Sequence, residues 1–192
     1  MNKPQIVKTK YNNSDVTVIA VYQLGGALRY IHLEDLALKA AELSPKTFSW
    51  KKYPEQVNLE TVRLALKNEL GAKNRRVFGS IRHGWMLTPQ GLSWCLKEVS
   101  AKTNPAPIEQ IRKEIARIKK SEAFNKVATG RREEITDDDL KAVLRIDEYF
   151  SPRNRSERII AFTNTTMIEP QLKPFITSLK RRGFIESEVD YE

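Results

Sequence analysis

Leu33, Leu36, Ala37, Ala40 and Leu43 recur at i, i+3, i+4, i+7 and i+10, the spacing that lines one face of an α-helix. Similar spacing runs through most of the chain, so its core must be built from helices packed by their apolar sides. Ser14-Asp15 can cap a helix starting at Val16, with Ile19, Ala20, Tyr22 and Leu24 as its apolar face, and Gly25-Gly26 ends it. Ser44-Pro45 stops the helix over residues 33–43. Asn58 suits the cap of a third helix, whose stripe is Leu59, Val62, Leu66 and Leu70 and which Gly71 closes. Thr88-Pro89 is a strong start for a fourth, running to about Val99. Two places break the helical pattern. Tyr30-Ile31 reads as a short extended piece. Val77-Phe78 and Trp85-Met86-Leu87 read as two strands, joined through Gly79 and Gly84 in a hairpin.

Residues 101–107, rich in alanine and proline, read as a linker, which divides the chain into domains 1–103 and 104–192. The second part is helical throughout. Ile108, Ile111, Ile115 and Ile118 mark a helix that runs on toward Val127, and Gly130 follows. Thr136 opens the next, with Asp137, Asp138 and Asp139 favouring its dipole and Leu140, Val143, Leu144 and Ile146 as its apolar side. Ser151-Pro152 ends it, Arg155–Thr163 is a third helix, and Leu172–Arg182 is a fourth that Gly183 stops. Four such helices make a small bundle with Tyr149, Phe150 and Phe162 in its core. The isoleucine stripe either packs into that core, the preferred reading, or pairs with a second copy as a homodimer.

Charge separates the two parts. The net charge is +9, yet residues 1–103 carry 16 Lys+Arg against 8 Asp+Glu while residues 104–192 carry 17 against 16. A basic domain beside a neutral one points to a polyanion-binding module attached to something with another task.

The order helix, short strand, helix, helix, hairpin, helix is that of a winged helix-turn-helix, so the fold expected is mainly α: a winged helix with a small hairpin wing, then an all-α bundle. The third helix leaves Glu60, Thr61, Arg63, Leu64, Lys67 and Asn68 off its apolar stripe. A helix of about three turns fits the DNA major groove. Arg63 and Lys67 share a face at i, i+4 and could meet guanine edges or phosphates, with Thr61 and Asn68 as polar readers. The hairpin tip would bring Arg82 and His83, with Lys73, Arg75 and Arg76 at its base, onto the phosphate backbone. The segment 46–57 is long for the turn of such a motif. Its aromatics Phe48, Trp50 and Tyr53 either cap the core, the preferred reading, or form a partner surface.

The passage Trp85-Met86-Leu87-Thr88-Pro89-Gln90-Gly91-Leu92 resembles the wing-to-helix passage of bacterial winged-helix regulators of the multiple-antibiotic-resistance and phenolic-acid-resistance types. Many of these carry Leu-Thr-x-x-Gly there, matched by Leu87, Thr88 and Gly91. The resemblance spans roughly residues 14–100 and implies the fold and DNA binding, not the target.

Catalytic groups are sparse. The only histidines are His32 and His83, and the only cysteine is Cys95, which beside Trp94 reads as a small buried hydrophobe. No zinc spacing and no Gly-rich phosphate loop is present, and Asp137–Asp139 read as a charged helix start rather than a cation site. The lone cysteine, the lack of a secretory signal and the lack of a membrane-length apolar run fit the cytoplasm. The expectation is therefore a double-stranded-DNA-binding protein without enzyme activity or cofactor, foremost a transcriptional regulator, whose residues 104–192 form a helical domain for dimerisation or for a protein partner. The alternatives are a winged-helix adaptor between proteins and an accessory subunit of a DNA-processing or defence complex.

Overall fold

The computed structural model describes residues 11–73, 75–99 and 106–185, and the chain divides into two compact units, Met1–Pro107 and Ile108–Glu192. Most of the expected linker, residues 101–105, lies outside the described residues, while Ala106 and Pro107 begin a helix. The described residues are mainly helical, with ten α-helices and one two-stranded antiparallel sheet.

In the first unit the elements are α1 (Asn13–Gln23), α2 (Leu33–Leu43), α3 (Pro45–Phe48), α4 (Leu59–Gly71), β1 (Val77–Ser80), β2 (Gly84–Leu87) and α5 (Pro89–Glu98). α1 is the centre. Every residue from Val16 to Tyr22 is buried, and the helix packs on α2, α4, α5 and β2. The expected one-sided face is thus incomplete, because a helix apolar all round belongs in an interior. It also starts earlier than the Ser14-Asp15 reading. Asn12 is the cap, and its side chain accepts from the Asp15 amide while Asp15 accepts from the Asn12 amide, a reciprocal capping box. Thr17, buried within α1, satisfies its hydroxyl by donating to the Asn13 carbonyl at 2.9 Å.

α2 buries Leu36, Ala37, Ala40 and Leu43 as the spacing requires. His32 stands at its cap position without making a side-chain bond there. α4 differs from its reading. It buries Val62 and Leu66 as expected and Ala65 and Glu69 besides, whereas Leu59 is exposed and Leu70 is half-buried; Leu64 is exposed, as its place off the stripe requires. Fully burying a leucine such as Leu66 contributes about 1.5–3 kcal/mol, so the Val62–Leu66 side sets how the helix sits.

The hairpin closes over three residues, Ile81 to His83, between Ser80 and Gly84, tighter than the expected connection. Gly84 has φ 86°, the left-handed position such a turn needs, and an added Cβ would lie 2.8 Å from the Ile31 carbonyl oxygen. Ile31 extends the sheet by a single bridge to Trp85, with bonds of 2.9 and 2.8 Å.

The segment after α2 is more ordered than a connecting loop. Proline at the first turn makes α3 a short helix. Ser49 then bridges to Val57, and the Asn58 amide donates to the Phe48 carbonyl at 2.7 Å. Phe48 is fully buried, but Trp50 and Tyr53 are exposed. The core-cap reading therefore holds for Phe48 and fails for the other two.

The second unit contains α6 (Ala106–Lys119), α7 (Glu122–Ala128), α8 (Asp137–Leu144), α9 (Pro152–Ile168) and α10 (Lys173–Arg181). Ser121 caps α7 through the Phe124 amide, so the expected continuous helix to Val127 breaks after Lys119. Ile111, Ile115 and Ile118 are buried. Thr136 and Asp139 form the capping box of α8, which ends at Arg145 in the left-handed conformation rather than at Ser151. Ser151 instead caps α9, which is longer at both ends than residues 155–163. Asp137, Asp138 and Asp139 face separate cations, Arg182, Lys141 and Lys126. Phe162 is buried against Phe175, but Tyr149 is 87% exposed, contrary to its expected place in the core. No helix among the described residues is long and apolar enough to cross a membrane.

Candidate nucleic-acid interface

α4 turns one continuous face outward. Glu60, Arg63, Leu64, Lys67, Asn68 and Gly71 are all exposed, at successive spacings of three, one, three, one and three residues. Thr61 lies at the edge of this face, half-buried, its amide donating to the Asn58 cap at 3.3 Å. Lys67 and Asn68 make no side-chain hydrogen bond or ion pair among the described residues. Arg63 is different. Its Nε and Nη2 both donate to the Glu60 carboxylate at 2.7 Å, a two-pronged grip. That bond draws the Glu60 pKa below its ordinary value and raises that of Arg63.

Across from α4 stands the hairpin. Its turn exposes Ile81, Arg82 and His83. Between the two elements runs a groove of about 300 Å³, lined from α4 by Arg63, Leu64, Lys67 and Leu70 and from the hairpin by Ile81 and Trp85. Two sequence-derived candidates, Arg63 and Lys67, therefore share this groove. Arg82 and His83 stand at the turn beside it, and Lys73 and Arg75 are exposed on the stretch joining α4 to β1. Leu64 and Ile81 were not among the candidates, although both are about half exposed, 49% and 54%. The signal for Leu64 was present in its position, an apolar residue standing off the buried stripe.

Arg76 is placed elsewhere. Its side chain is only 16% exposed, it donates to Asp15 at 2.7 Å and to both carboxylate oxygens of Glu69, and its guanidinium lies 4.4 Å from the centre of the Trp94 ring. Burial opposes the charge, but the bonds to Glu69 and Asp15 outweigh it and hold the pKa above its ordinary value. This arginine ties α1, α4 and the start of β1 together, and its expected role on the phosphate backbone is withdrawn.

The stretch Leu87-Thr88-x-x-Gly91 has a physical basis here. The Thr88 hydroxyl donates to the Arg75 carbonyl at 2.7 Å and accepts from the Gly91 amide at 3.1 Å, while the Thr88 amide donates to the Arg76 carbonyl at 3.1 Å. Gly91 packs so closely that an added Cβ would stand 1.9 Å from the Arg76 carbonyl oxygen. Threonine and glycine thus fasten the entry of the hairpin to the entry of α5. Cys95 is fully buried below, and burial pushes its thiol well above the ordinary range, which leaves it unreactive.

No cluster of three or more His, Cys, Asp or Glu side chains that could hold a metal occurs among the described residues. No protein-family model matches the chain, and no curated protein and no solved structure shows significant similarity to it.

Proposed function

We propose that the first unit is a winged-helix module that binds double-stranded DNA and that the protein is a transcriptional regulator. In this reading α4 enters the major groove and the β1–β2 hairpin is the wing, its turn lying along the phosphate backbone. The observation that carries it is the convergence of the exposed face of α4 and the exposed hairpin turn on one groove. From α4 through the hairpin the described residues expose five cations, Arg63, Lys67, Lys73, Arg75 and Arg82, against one carboxylate, Glu60. Lys67 and Arg82 make no ion pair among the described residues, so their charge is available to phosphates. Asn68 and Thr61 remain as polar readers of base edges.

Binding of the purified protein to random-sequence duplex DNA, followed by fluorescence anisotropy at two salt concentrations, tests the reading. Binding that weakens steeply with salt is the expected result. Absence of binding at low salt rules it out.

A second reading, a docking module for another protein, is favoured by one observation. Trp50 and Tyr53 stand exposed on a loop that backbone bonds hold closed, and large exposed aromatics are characteristic of interface centres.

A further inference from the structure

Leu64, about half exposed on the polar face of α4, lines one groove with Ile81, Leu70 and Trp85, so the exposed apolar surface there is contiguous rather than a single side chain. Its neighbours on the face are Arg63 and Lys67, and across the groove stands the equally exposed Ile81. The groove is thus lined by apolar side chains together with Arg63 and Lys67. Glu60 grips the Nε–Nη2 edge of Arg63. Between Arg63 and Lys67 the exposed face of α4 carries an alkyl side chain, Leu64. In the major groove a base pair offers one apolar group, the C5-methyl of thymine.

We infer that Leu64 is a specificity-determining residue that recognises a thymine methyl in the major groove. The inference rests on the DNA-binding reading above. Charge complementarity argues for DNA as the occupant: Lys67 beside the leucine and Arg82 at the hairpin turn make no ion pair among the described residues and are available to the phosphates near the base it touches. Ile81 lines the same groove from the hairpin and extends its apolar surface. A site preferred by this protein then contains at least one thymine whose methyl group matters.

The experiment uses the full chain. Duplexes it prefers are selected from a random-sequence pool. Each thymine is then replaced in turn by deoxyuracil, which keeps the base pair and removes only the methyl. Loss of one buried methyl is expected to weaken binding about 3- to 5-fold at one or two positions and not at the others. Leu64→Ala should bind thymine and deoxyuracil duplexes equally at those positions, and Leu64→Met, which keeps an alkyl side chain there, should restore the difference. Unchanged thermal unfolding of both variants shows that the fold is intact. If selected duplexes bind well but no single methyl matters, or Leu64→Ala keeps the wild-type difference, the inference is overturned while DNA binding stands. If selection recovers no bound duplex at low salt, the DNA reading fails and this inference with it.

Discussion

Arg76 reaches back 61 residues to donate a 2.7 Å hydrogen bond to Asp15. Asp15 closes the first turn of α1, so this bond and those to Glu69 of α4 join the two helices through one guanidinium. With all three side chains less than a fifth exposed, removing the arginine strands two carboxylates. Arg76→Ala is expected to destabilise the first unit by about 3 kcal/mol or more, measured by urea unfolding. Arg82→Ala at the exposed turn should stay within about 0.5 kcal/mol of the wild type.

The same contrast reverses in binding. Lys67→Ala and Arg82→Ala are each expected to lower the slope of log K against log salt on duplex DNA by about one. Anisotropy titrations at several salt concentrations read this directly. Slopes equal to the wild type in both variants would move the interface away from α4 and the hairpin.

Thr88 and Gly91 make a separate test of the hairpin's attachment. Thr88→Ala loses the cap of α5 and the bond to the Arg75 carbonyl, an expected cost of about 1–2 kcal/mol. Gly91→Ala forces a methyl group against the Arg76 carbonyl oxygen and should cost more, on the order of 3 kcal/mol. Equilibrium unfolding of both variants checks the order of the two effects.

The aromatics of the 46–57 segment separate by burial. Phe48→Ala opens a cavity in the core and should cost about 3–5 kcal/mol. Trp50→Ala and Tyr53→Ala, at sites about half exposed, should leave stability within about 0.5 kcal/mol. A large loss of stability in either of the last two would show that the loop is structural.

Acid should loosen α8 through Asp139. Burial opposes its charge, but hydrogen bonds from Lys126 and Thr136 prevail and hold its pKa below the ordinary aspartate value. A depressed carboxylate pKa stabilises the fold above the unfolded value and ceases to do so as pH falls through the folded one. The protection factors of the α8 amides against hydrogen exchange are therefore expected to be steady above about pH 4 and to fall below it. Asp139→Asn should exchange faster near neutral pH and show a flatter acid response.

Local signals were legible in the sequence, and distant pairings were not. Asn58, Thr88 and Thr136 each cap the helix that follows, because a cap is decided within three residues. The hairpin was legible from its glycines and flanking apolar runs. The inward turn of Arg76 was hidden, since its partners lie seven and 61 residues away. Nothing local distinguishes it from Arg75 next to it, which is exposed. Leu59 was assigned to the buried stripe by its spacing and Tyr149 to the core by its chemistry, and whether a neighbouring element covers them is a tertiary matter. At the candidate interface, spacing along α4 identified Arg63 and Lys67. The grip of Glu60 on Arg63 and the facing Ile81 required the folded chain.

The bonds of Arg76 also bear on the cost of recognition. They form when the chain folds, and together with the Thr88 contacts they hold the hairpin at a set place beside α4. The conformational entropy of arranging these two elements is thus lost in folding rather than on encounter. A partner that fits the groove meets a preorganised surface and orders only the exposed side chains, so its affinity is reduced little by rearrangement of the backbone.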